Sequence, residues 1–347
     1  MKKKICLILV LTLVLSVFVG CSNSDKPTLN VLNYGIYMDP SLVTQFEKEN
    51  NVKIIYDEYA APEDMYTRVK AGGTDYDVII TGEYMIERMV NEDMLAELDF
   101  NNIPNFKYVG EEYKNQPYDN ENKYAVPYFW GTLGILYNKE TVDVSSNSWN
   151  ILWDEKYKDQ IVMMDSQRDT FAVALKLLGY SLNTTDINKL DEAKRLLIDQ
   201  KPLVMAYVVD RAGQMISSGE AELGLVWSGE ATVAMLDDSE RDLGFIIPKE
   251  GSNIWIDAMC IPKTSNQKEL AEKFINFITS KDATLKDINE VMYSTVHTEA
   301  IKELPDELKN NNAYNVPSDE VKNLEMFRDL KDDIKLYNTR WTEVFGK

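Results

Sequence analysis

Short apolar segments alternate with amphipathic segments along most of the chain. Runs rich in Val, Ile and Leu that lie between turn-forming residues are typical of buried strands. They predict strands at residues 29–32, 52–56, 77–80, 134–137, 161–164, 223–227, 243–247 and 254–261. Apolar residues with helical spacing predict helices after Asp39-Pro40 and at residues 62–71, 171–178, 186–198 and 269–278. This alternation indicates an α/β fold with a largely parallel sheet.

Some turn and boundary residues sharpen this prediction. Asp39 and Pro40 suit the N-cap and first turn of a helix, and Gly72-Gly73 closes the helix at residues 62–71. The chain contains no internal repeat, low-complexity tract or long linker. Two lobes would therefore be joined by short crossings, and the chain would pass between them more than once.

The N-terminus has the pattern of an export signal. Lys2-Lys3-Lys4 precede an uncharged, mostly apolar run at residues 5–19, which is too short to span a membrane. Gly20-Cys21-Ser22 resembles a lipobox, in which the cysteine is lipidated and becomes the mature N-terminus, although Phe18 stands where Leu is usual. The alternative is an ordinary cleaved signal with a chance cysteine. We expect a signal at residues 1–20, a tether at residues 21–28 and a body on the outer face of the cytoplasmic membrane.

Composition narrows the class of partner. The chain has 347 residues, of which 44% are hydrophobic, and a formal net charge of −20. The apolar fraction predicts a packed protein, and the length beyond residue 20 suits two lobes. Because an acidic surface repels phosphate backbones and anionic headgroups, we expect neither nucleic-acid binding nor electrostatic membrane docking. Such a surface suits a cationic ligand.

The cysteines and the histidine exclude several chemistries. Cys6 lies in the signal and Cys21 in the lipobox, so Cys260 is the one thiol left in the body, where its apolar surroundings in sequence predict a core position. No disulfide or cysteine metal cluster is expected. His297 is the single histidine, and the chain has neither a Gly-x-Ser-x-Gly elbow nor a histidine pair. We therefore predict a protein without a metal, a cofactor or catalytic residues.

Aromatic and acidic residues occur together at predicted strand ends and turns. They are Tyr34, Tyr37, Glu83, Tyr84, Asp169, Trp227, Glu230, Trp255, Asp257 and Tyr293. Ligands of open α/β sheets bind beyond the carboxyl ends of the strands, where such turns gather. Ring faces and a carboxylate together suit an alkyl ammonium group. Trp255 and Asp257 alternate on a predicted strand and so share one face, although any single ring could equally belong to the core.

Several segments, in order, resemble the spermidine/putrescine-binding proteins of ABC importers over nearly the whole mature chain. They are VLNYGIY at residues 31–37, YDVIITGEY at 76–84, YAVPYFWG at 124–131, LGYSLNTTD at 178–186, LGLVWSG at 223–229, PKEG at 248–251 and WID at 255–257. The resemblance implies a two-lobed periplasmic-binding-protein fold, each lobe a mixed, largely parallel sheet flanked by helices, with the ligand cleft between the lobes. We expect residues 29–131 and 252–301 in lobe 1 and residues 132–251 and 302–347 in lobe 2. The implied partners are a polyamine and ABC permease subunits, and a monomer is expected.

The resemblance also assigns roles in the cleft. Tyr37, Tyr84, Trp227, Trp255 and Tyr293 match the family's ring positions, and Asp257 matches its ammonium-binding aspartate. Asp169 stands where the family has a glutamate, and Tyr34 where a tryptophan is usual.

Other positions depart from the family pattern. Ile36 and Ser166 replace acids, Val209 and Gly82 replace serines, and Phe327 replaces a glutamine. Because an ammonium group buried against apolar side chains is costly, we expect a shorter diamine such as putrescine, or a monocation with an apolar end, to be preferred over spermidine. Glu83, Asp210 and Glu230 are candidates to replace the missing charges. The alternatives are a receptor for another organic cation, a lipoprotein enzyme on the same fold, and a sensor or surface lipoprotein that does not transport.

Overall fold

The computed structural model describes residues 26–237, 241–317 and 321–346. The predicted signal at residues 1–20 and Cys21 lie outside the described residues. The ten strands of this part are β1 Thr28–Tyr34, β2 Lys53–Tyr59, β3 Val78–Gly82, β4 Ala125–Asn138, β5 Ile161–Met164, β6 Val204–Val208, β7 Leu223–Trp227, β8 Leu243–Ile246, β9 Ile254–Cys260 and β10 Ser294–Thr295.

The same residues form eleven α-helices. They are α1 Pro40–Asn50, α2 Pro62–Ala71, α3 Glu83–Asn91, α4 Gln167–Leu177, α5 Ile187–Gln200, α6 Ala212–Ser217, α7 Ser228–Leu236, α8 Lys268–Ile278, α9 Lys281–Val291, α10 Asp306–Lys309 and α11 Ile334–Phe345. Short 3-10 helices lie at Pro104–Tyr108, Glu111–Tyr113, Trp149–Trp153, Glu155–Tyr157, Lys201–Leu203, Ile301–Glu303, Val321–Asn323 and Lys331–Asp333. Within the described ranges, no helix has the length and apolar character needed to cross a membrane.

The strands run in the order β2-β1-β3-β9-β4-β7-β5-β6, and β8 and β10 also pair with β4. The 14-residue strand β4 is shared by two halves of this sheet. Its first part pairs with β9 and β10, and its last part pairs with β7 and β8. One lobe therefore contains β1, β2, β3, β9 and β10, the other contains β5 to β8, and β4 runs from the first lobe into the second. The residue limits expected for the lobes stay a prediction.

The sheet is mixed, as expected, but it is less parallel than the sequence pattern indicates. Strand β1 pairs in parallel with β2 and β3, and β5 pairs in parallel with β6 and β7. The pairings of β9 with β3 and of β4 with β7, β8, β9 and β10 are antiparallel. Strand β4 runs from the first lobe into the second, and β9, which follows β8 of the second lobe, runs back into the first, so β4 and β9 are antiparallel.

Local sequence explains where the helices of the first lobe begin and end. Asp39 caps α1 by accepting a hydrogen bond from the Ser41 N–H at 2.7 Å, and Pro40 occupies its first turn. Helix α2 begins at Pro62 and ends at Gly72, which has a φ of 68°. The predicted core position of Cys260 is confirmed, because its free thiol is buried in β9.

Candidate functional site

Strand β9 carries the centre of the site. Its alternation places Trp255 and Asp257 on one face. The side chain of Asp257 is 7% exposed, and Tyr37 donates its hydroxyl to Asp257 Oδ2 at 2.6 Å. Tyr37 lies three residues beyond β1, so residues 220 positions apart in sequence meet through the packing of β1, β3 and β9.

Four aromatic residues near Asp257 form a chain of ring contacts, and we call them the ring cage: Tyr34, Tyr37, Trp255 and Tyr293. The centroid of the Tyr37 ring lies 5.4 Å from that of Tyr34 and 5.8 Å from that of Tyr293, both with edge-to-face geometry. Trp255 meets Tyr293 at 4.9 Å with an interplanar angle of 77°. Edge-to-face packing leaves negative ring faces available to a cation.

The charge of Asp257 is poorly compensated by the protein. Burial raises the pKa of Asp257 to about 7, although the hydroxyls of Tyr37 and Tyr34 act in the opposite direction. Among the described residues, no lysine or arginine nitrogen lies within 4.0 Å of this carboxylate. Within the described part of the chain, the ring cage therefore combines aromatic rings with a carboxyl group that has no lysine or arginine partner.

Glu83 begins helix α3 directly behind Asp257. Its Oε2 accepts a hydrogen bond from the Ile256 N–H at 3.4 Å, whereas its Oε1 has no partner among the described residues. Burial and, to a smaller extent, the charge of Asp257 raise the pKa of Glu83 to about 8, although backbone hydrogen bonds from Glu83, Ile256 and Phe327 act in the opposite direction.

A second group of predicted residues lies around the start of α4. Ser166 donates its hydroxyl to Asp169 Oδ2 at 2.5 Å, and burial raises the pKa of Asp169 to about 6. The guanidinium group of Arg168 lies 4.4 Å from the centroid of the Phe327 ring. Tyr84 packs against Phe327, and its hydroxyl donates to Glu63 Oε1 at 3.2 Å.

Tyr293 connects the two groups. Burial is the main cause that raises the pKa of Tyr293, and the negative charges of Glu230, Asp257 and Asp169 raise it further. All three acids therefore interact electrostatically with the Tyr293 hydroxyl. Glu230 Oε1 accepts a hydrogen bond from the Gly213 N–H at 2.8 Å, while its Oε2 is buried without a partner in the described part of the chain. Burial raises the pKa of Glu230 to about 7.

Some residues singled out from the sequence lie apart from the ring cage. Trp227 is half-buried at the end of β7, where it pairs with Leu133, and it makes no ring-to-ring contact with the cage among the described residues. Ile36 is 80% exposed and Val209 is 52% exposed. The turn after β1 and the end of β6 leave these two side chains exposed to solvent, and their expected place along the cleft stays a prediction. Phe327 alone of the three is buried.

The sequence gives no indication of the residues that pack against the rings of the ring cage. The Tyr128 ring packs edge-on against Tyr37 at 5.8 Å, and its hydroxyl donates to Asp287 Oδ2 at 2.6 Å. It also missed Gly229, where a Cβ atom would lie 2.3 Å from the Tyr293 ring. No short-range signal marks such contacts, because the partners are far apart in sequence.

His297 belongs to the core of the first lobe. Its Nδ1 accepts hydrogen bonds from the Glu299 N–H at 3.1 Å and the Ala300 N–H at 3.0 Å, which places the proton on Nε2. Burial lowers the pKa of His297, and its ring stacks on Tyr108. Within the described ranges, no group of three His, Cys, Asp or Glu side chains is arranged to hold a metal ion.

Comparisons with known proteins identify the family of the chain. The family model described as bacterial extracellular solute-binding protein matches residues 75–323, and a model described as hypothetical lipoprotein matches residues 1–109. The chain is 34% identical over 323 residues to the spermidine/putrescine-binding periplasmic protein of Salmonella typhimurium, covering 92% of each sequence.

Two solved structures extend the similarity to the fold. The spermidine/putrescine ABC transporter substrate-binding protein of Streptococcus pneumoniae superimposes with a TM-score of 0.80 at 37% identity, covering 92% of this chain and 97% of that one. A lipoprotein of Treponema pallidum, Tp0655, superimposes with a TM-score of 0.83 at 27% identity, covering 91% and 99%.

Proposed function

The chain belongs to the bacterial extracellular solute-binding protein family, and from that premise we propose that it captures a polyamine outside the cytoplasm and delivers it to an ABC permease. In this proposal it binds its ligand without turning it over. The lobes close on the ligand by a hinge, and the closed form docks on the permease.

The observation that carries the proposal is the buried Asp257 inside the ring cage. A carboxyl group that is 7% exposed and held at 2.6 Å by Tyr37, without a lysine or arginine partner among the described residues, is suited to an incoming ammonium group. Methylene groups of the same ligand would pack on the rings. Each cation–π contact contributes about 0.5–2 kcal/mol, and each charge-assisted hydrogen bond about 1.5–3 kcal/mol. Two or three of each are enough for micromolar binding.

The preferred ligand in this proposal is a diamine such as putrescine. The second group of residues offers Asp169 to the ligand's other ammonium group, while Ser166 replaces a second acid. Beyond Asp169, the positive charge of Arg168 lies over Phe327. A third ammonium group at that end would meet a cation and a ring instead of a free carboxylate, which favours a two-charge ligand over spermidine.

Lipid anchoring at Cys21 is part of the same proposal. The lipobox-like junction in the sequence, the match of the hypothetical-lipoprotein model to residues 1–109 and the similarity to the Treponema pallidum lipoprotein support it. An anchor would keep the receptor near its permease.

Isothermal titration of the mature protein with putrescine, spermidine and thiamine tests the ligand. We expect putrescine to bind tightest and Asp257→Asn to weaken its binding by at least about tenfold. Spermidine binding tenfold tighter than putrescine would contradict the diamine preference, and binding of thiamine alone would assign a different cation. Quenching of tryptophan fluorescence by putrescine, with the ligand recovered unchanged, would distinguish binding from catalysis.

A further inference from the structure

The turn between β1 and α1 carries Tyr37, whose hydroxyl donates to Asp257 at 2.6 Å. Residues 35–39 form this turn, and its second residue, Ile36, has a φ of 49°. The left-handed region is unfavourable for a β-branched residue, and a side chain that is 80% exposed adds little packing to offset this. Other contacts must therefore hold the turn in this conformation.

Buried side chains hold the backbone of this turn. Asp287 in α9 is fully buried, and its Oδ1 accepts a hydrogen bond from the Asp39 N–H at 2.7 Å. Tyr128 in β4 donates its hydroxyl to Asp287 Oδ2 at 2.6 Å, and the same hydroxyl lies 3.2 Å from the carbonyl oxygen of Tyr37. From the side of β1, Asn33 Nδ2 donates to that carbonyl oxygen at 3.2 Å. The backbone of the turn is thereby tied to α9, β4 and β1.

The carboxylate of Asp287 is better suited to fixing the turn than to stabilising the lobe in general. Among the described residues, no lysine or arginine nitrogen lies within 4.0 Å of it. Burial of such a group is costly unless hydrogen bonds satisfy it, and apolar residues of similar size often give the more stable protein. Each of its two oxygens, however, meets one donor, and the donors belong to two different segments, the turn at Asp39 and strand β4 at Tyr128.

Strand β4 has a β-bulge at Tyr128, directly beside Asp257. The register between β4 and β9 shifts between Pro127 and Phe129, and Phe129 pairs with Asp257. Successive side chains of a regular strand point to opposite faces, yet the ring centroids of Tyr128 and Phe129 lie 5.8 Å and 5.9 Å from that of Tyr37. A bulge commonly redirects a side chain next to a functional site. This one places the Tyr128 hydroxyl against the turn.

We propose that Tyr128 and Asp287 are positioning residues of the polyamine site, which hold the turn at residues 35–39 so that the Tyr37 hydroxyl points at Asp257. This inference rests on the proposed polyamine-binding function. In this arrangement the pair acts on the ligand only through Tyr37. Without the Tyr128 hydroxyl, Asp287 loses a donor and the Tyr37 carbonyl group loses a contact. The turn then samples more conformations, and the hydrogen bond from Tyr37 to Asp257 is formed for a smaller fraction of the time.

Isothermal titration of the mature protein with putrescine tests this role in a double-mutant cycle. Tyr128→Phe keeps the ring that packs on Tyr37 and removes only the hydroxyl, and we expect it to weaken binding by about three- to tenfold. In a Tyr37→Phe background the same substitution should weaken binding by less than about twofold, because the hydroxyl that Tyr128 positions is already absent. A purely structural contribution of Tyr128 would give the same loss of affinity in both backgrounds.

Tyr66→Phe is the matched control in the same lobe. Tyr66 is 6% exposed, as Tyr128 is, and its hydroxyl donates to Glu92 Oε2 at 2.6 Å. Among the described residues, Tyr66 forms no hydrogen bond or ring contact with residues 35–39 or with the ring cage. The control therefore loses a hydrogen bond of the same kind and length, and its affinity for putrescine should stay within about twofold of the wild type.

Asp287→Asn provides a second cycle if Tyr128→Phe does not fold. It removes one of the two acceptor oxygens, so its effect on putrescine binding should also depend on the Tyr37 hydroxyl. Equal losses in the two backgrounds, an equal loss for Tyr66→Phe, or a Tyr128→Phe affinity within about twofold of the wild type would overturn the positioning role. Failure of both variants to fold would assign the pair to the stability of the lobe and overturn it as well. Absence of putrescine binding by the wild type would instead contradict the proposed function.

Discussion

Replacing Gly229 by alanine tests whether the position of Tyr293 in the ring cage depends on close packing of its ring against helix α7 at a residue without a side chain. A Cβ atom at position 229 would lie 2.3 Å from Cδ1 and Cε1 of the Tyr293 ring. Carbon atoms in contact are normally separated by about 3.5–4.0 Å, so the ring would have to withdraw by more than about 1 Å. Gly229 is the second residue of α7, where alanine is otherwise the better helix former by about 1 kcal/mol. A loss of binding would therefore come from the contact and not from the helix.

The expected magnitude follows from two effects. Displacing Tyr293 removes one cation–π contact, which contributes about 0.5–2 kcal/mol. Forcing a methyl group into a filled contact between the lobes costs about 1–3 kcal/mol. Together they predict a loss of about 1.5–5 kcal/mol, which is a decrease in putrescine affinity of roughly 10- to 5,000-fold.

Isothermal titration and thermal unfolding of Gly229→Ala, Gly73→Ala, Tyr293→Ala and the Gly229→Ala/Tyr293→Ala double variant distinguish this mechanism from general damage. Gly73→Ala is the matched control, because a Cβ atom there meets no atom within 4 Å and its φ is not positive. It should bind like the wild type. In a Tyr293→Ala background, Gly229→Ala should cost little more, because the methyl group then has no ring to displace. A dissociation constant for Gly229→Ala within about threefold of the wild type, or a full additive loss in the double variant, would refute the reasoning.

Three further predictions concern groups with distinct roles. Tyr37→Phe removes the 2.6 Å hydrogen bond to Asp257 and so raises the pKa of that carboxyl group further. We expect this variant to bind putrescine about tenfold more weakly than the wild type at pH 7, with a smaller difference in affinity at pH 8.5. An equal loss of affinity at both pH values would contradict this. Because burial lowers the pKa of His297, its contribution to the free energy of unfolding is present at neutral pH and is lost as the pH falls below about 6.5. Urea unfolding at pH 7.5 and 5 should therefore show a larger loss for the wild type than for His297→Gln, and an identical loss would exclude this linkage. Cys21→Ser should move the protein from the membrane fraction to the soluble extracytoplasmic fraction, and membrane retention of this variant would argue against the anchor.

Local sequence patterns predict those elements whose limits depend on nearby residues. Helix α2 begins and ends where Pro62 and Gly72 predict, and β5 and β7 have the predicted limits. Strand β4 was predicted only at residues 134–137, although it runs from Ala125 to Asn138. Pro127, Gly131 and Gly134 resemble strand breakers in sequence. In the structure the two glycines leave room for the rings of Trp255 and Phe245, a requirement that arises only from tertiary packing.

In the candidate site, too, some features follow from local sequence patterns, whereas others depend on tertiary packing. The alternation of Trp255 and Asp257 follows from strand geometry, so the sequence predicts that they share a face. Whether a substituted position such as Ile36 faces the ligand depends on the direction of one turn, and the structure directs it to solvent. The burial of a particular side-chain atom also cannot be predicted from the sequence. The sequence suggests Glu83 as a residue that replaces a missing negative charge, but it does not show that Glu83 Oε1 is buried without a hydrogen-bond partner among the described residues.

In the proposed binding mode, the arrangement of acids also limits the length of ligand that the cleft accommodates. Asp257 and Asp169 would hold the two ends of the ligand, and the charges of both act on the Tyr293 hydroxyl between them. A diamine that spans this ring can place one ammonium group at each end and lay its methylene groups on the aromatic faces. A longer triamine must carry its additional charge past Asp169 toward Arg168 and Phe327, where repulsion opposes it. Arg168→Met would remove that charge and keep an apolar contact with the Phe327 ring, so it should improve spermidine binding more than putrescine binding. Equal effects on the two ligands would show that the charge of Arg168 does not set the length preference.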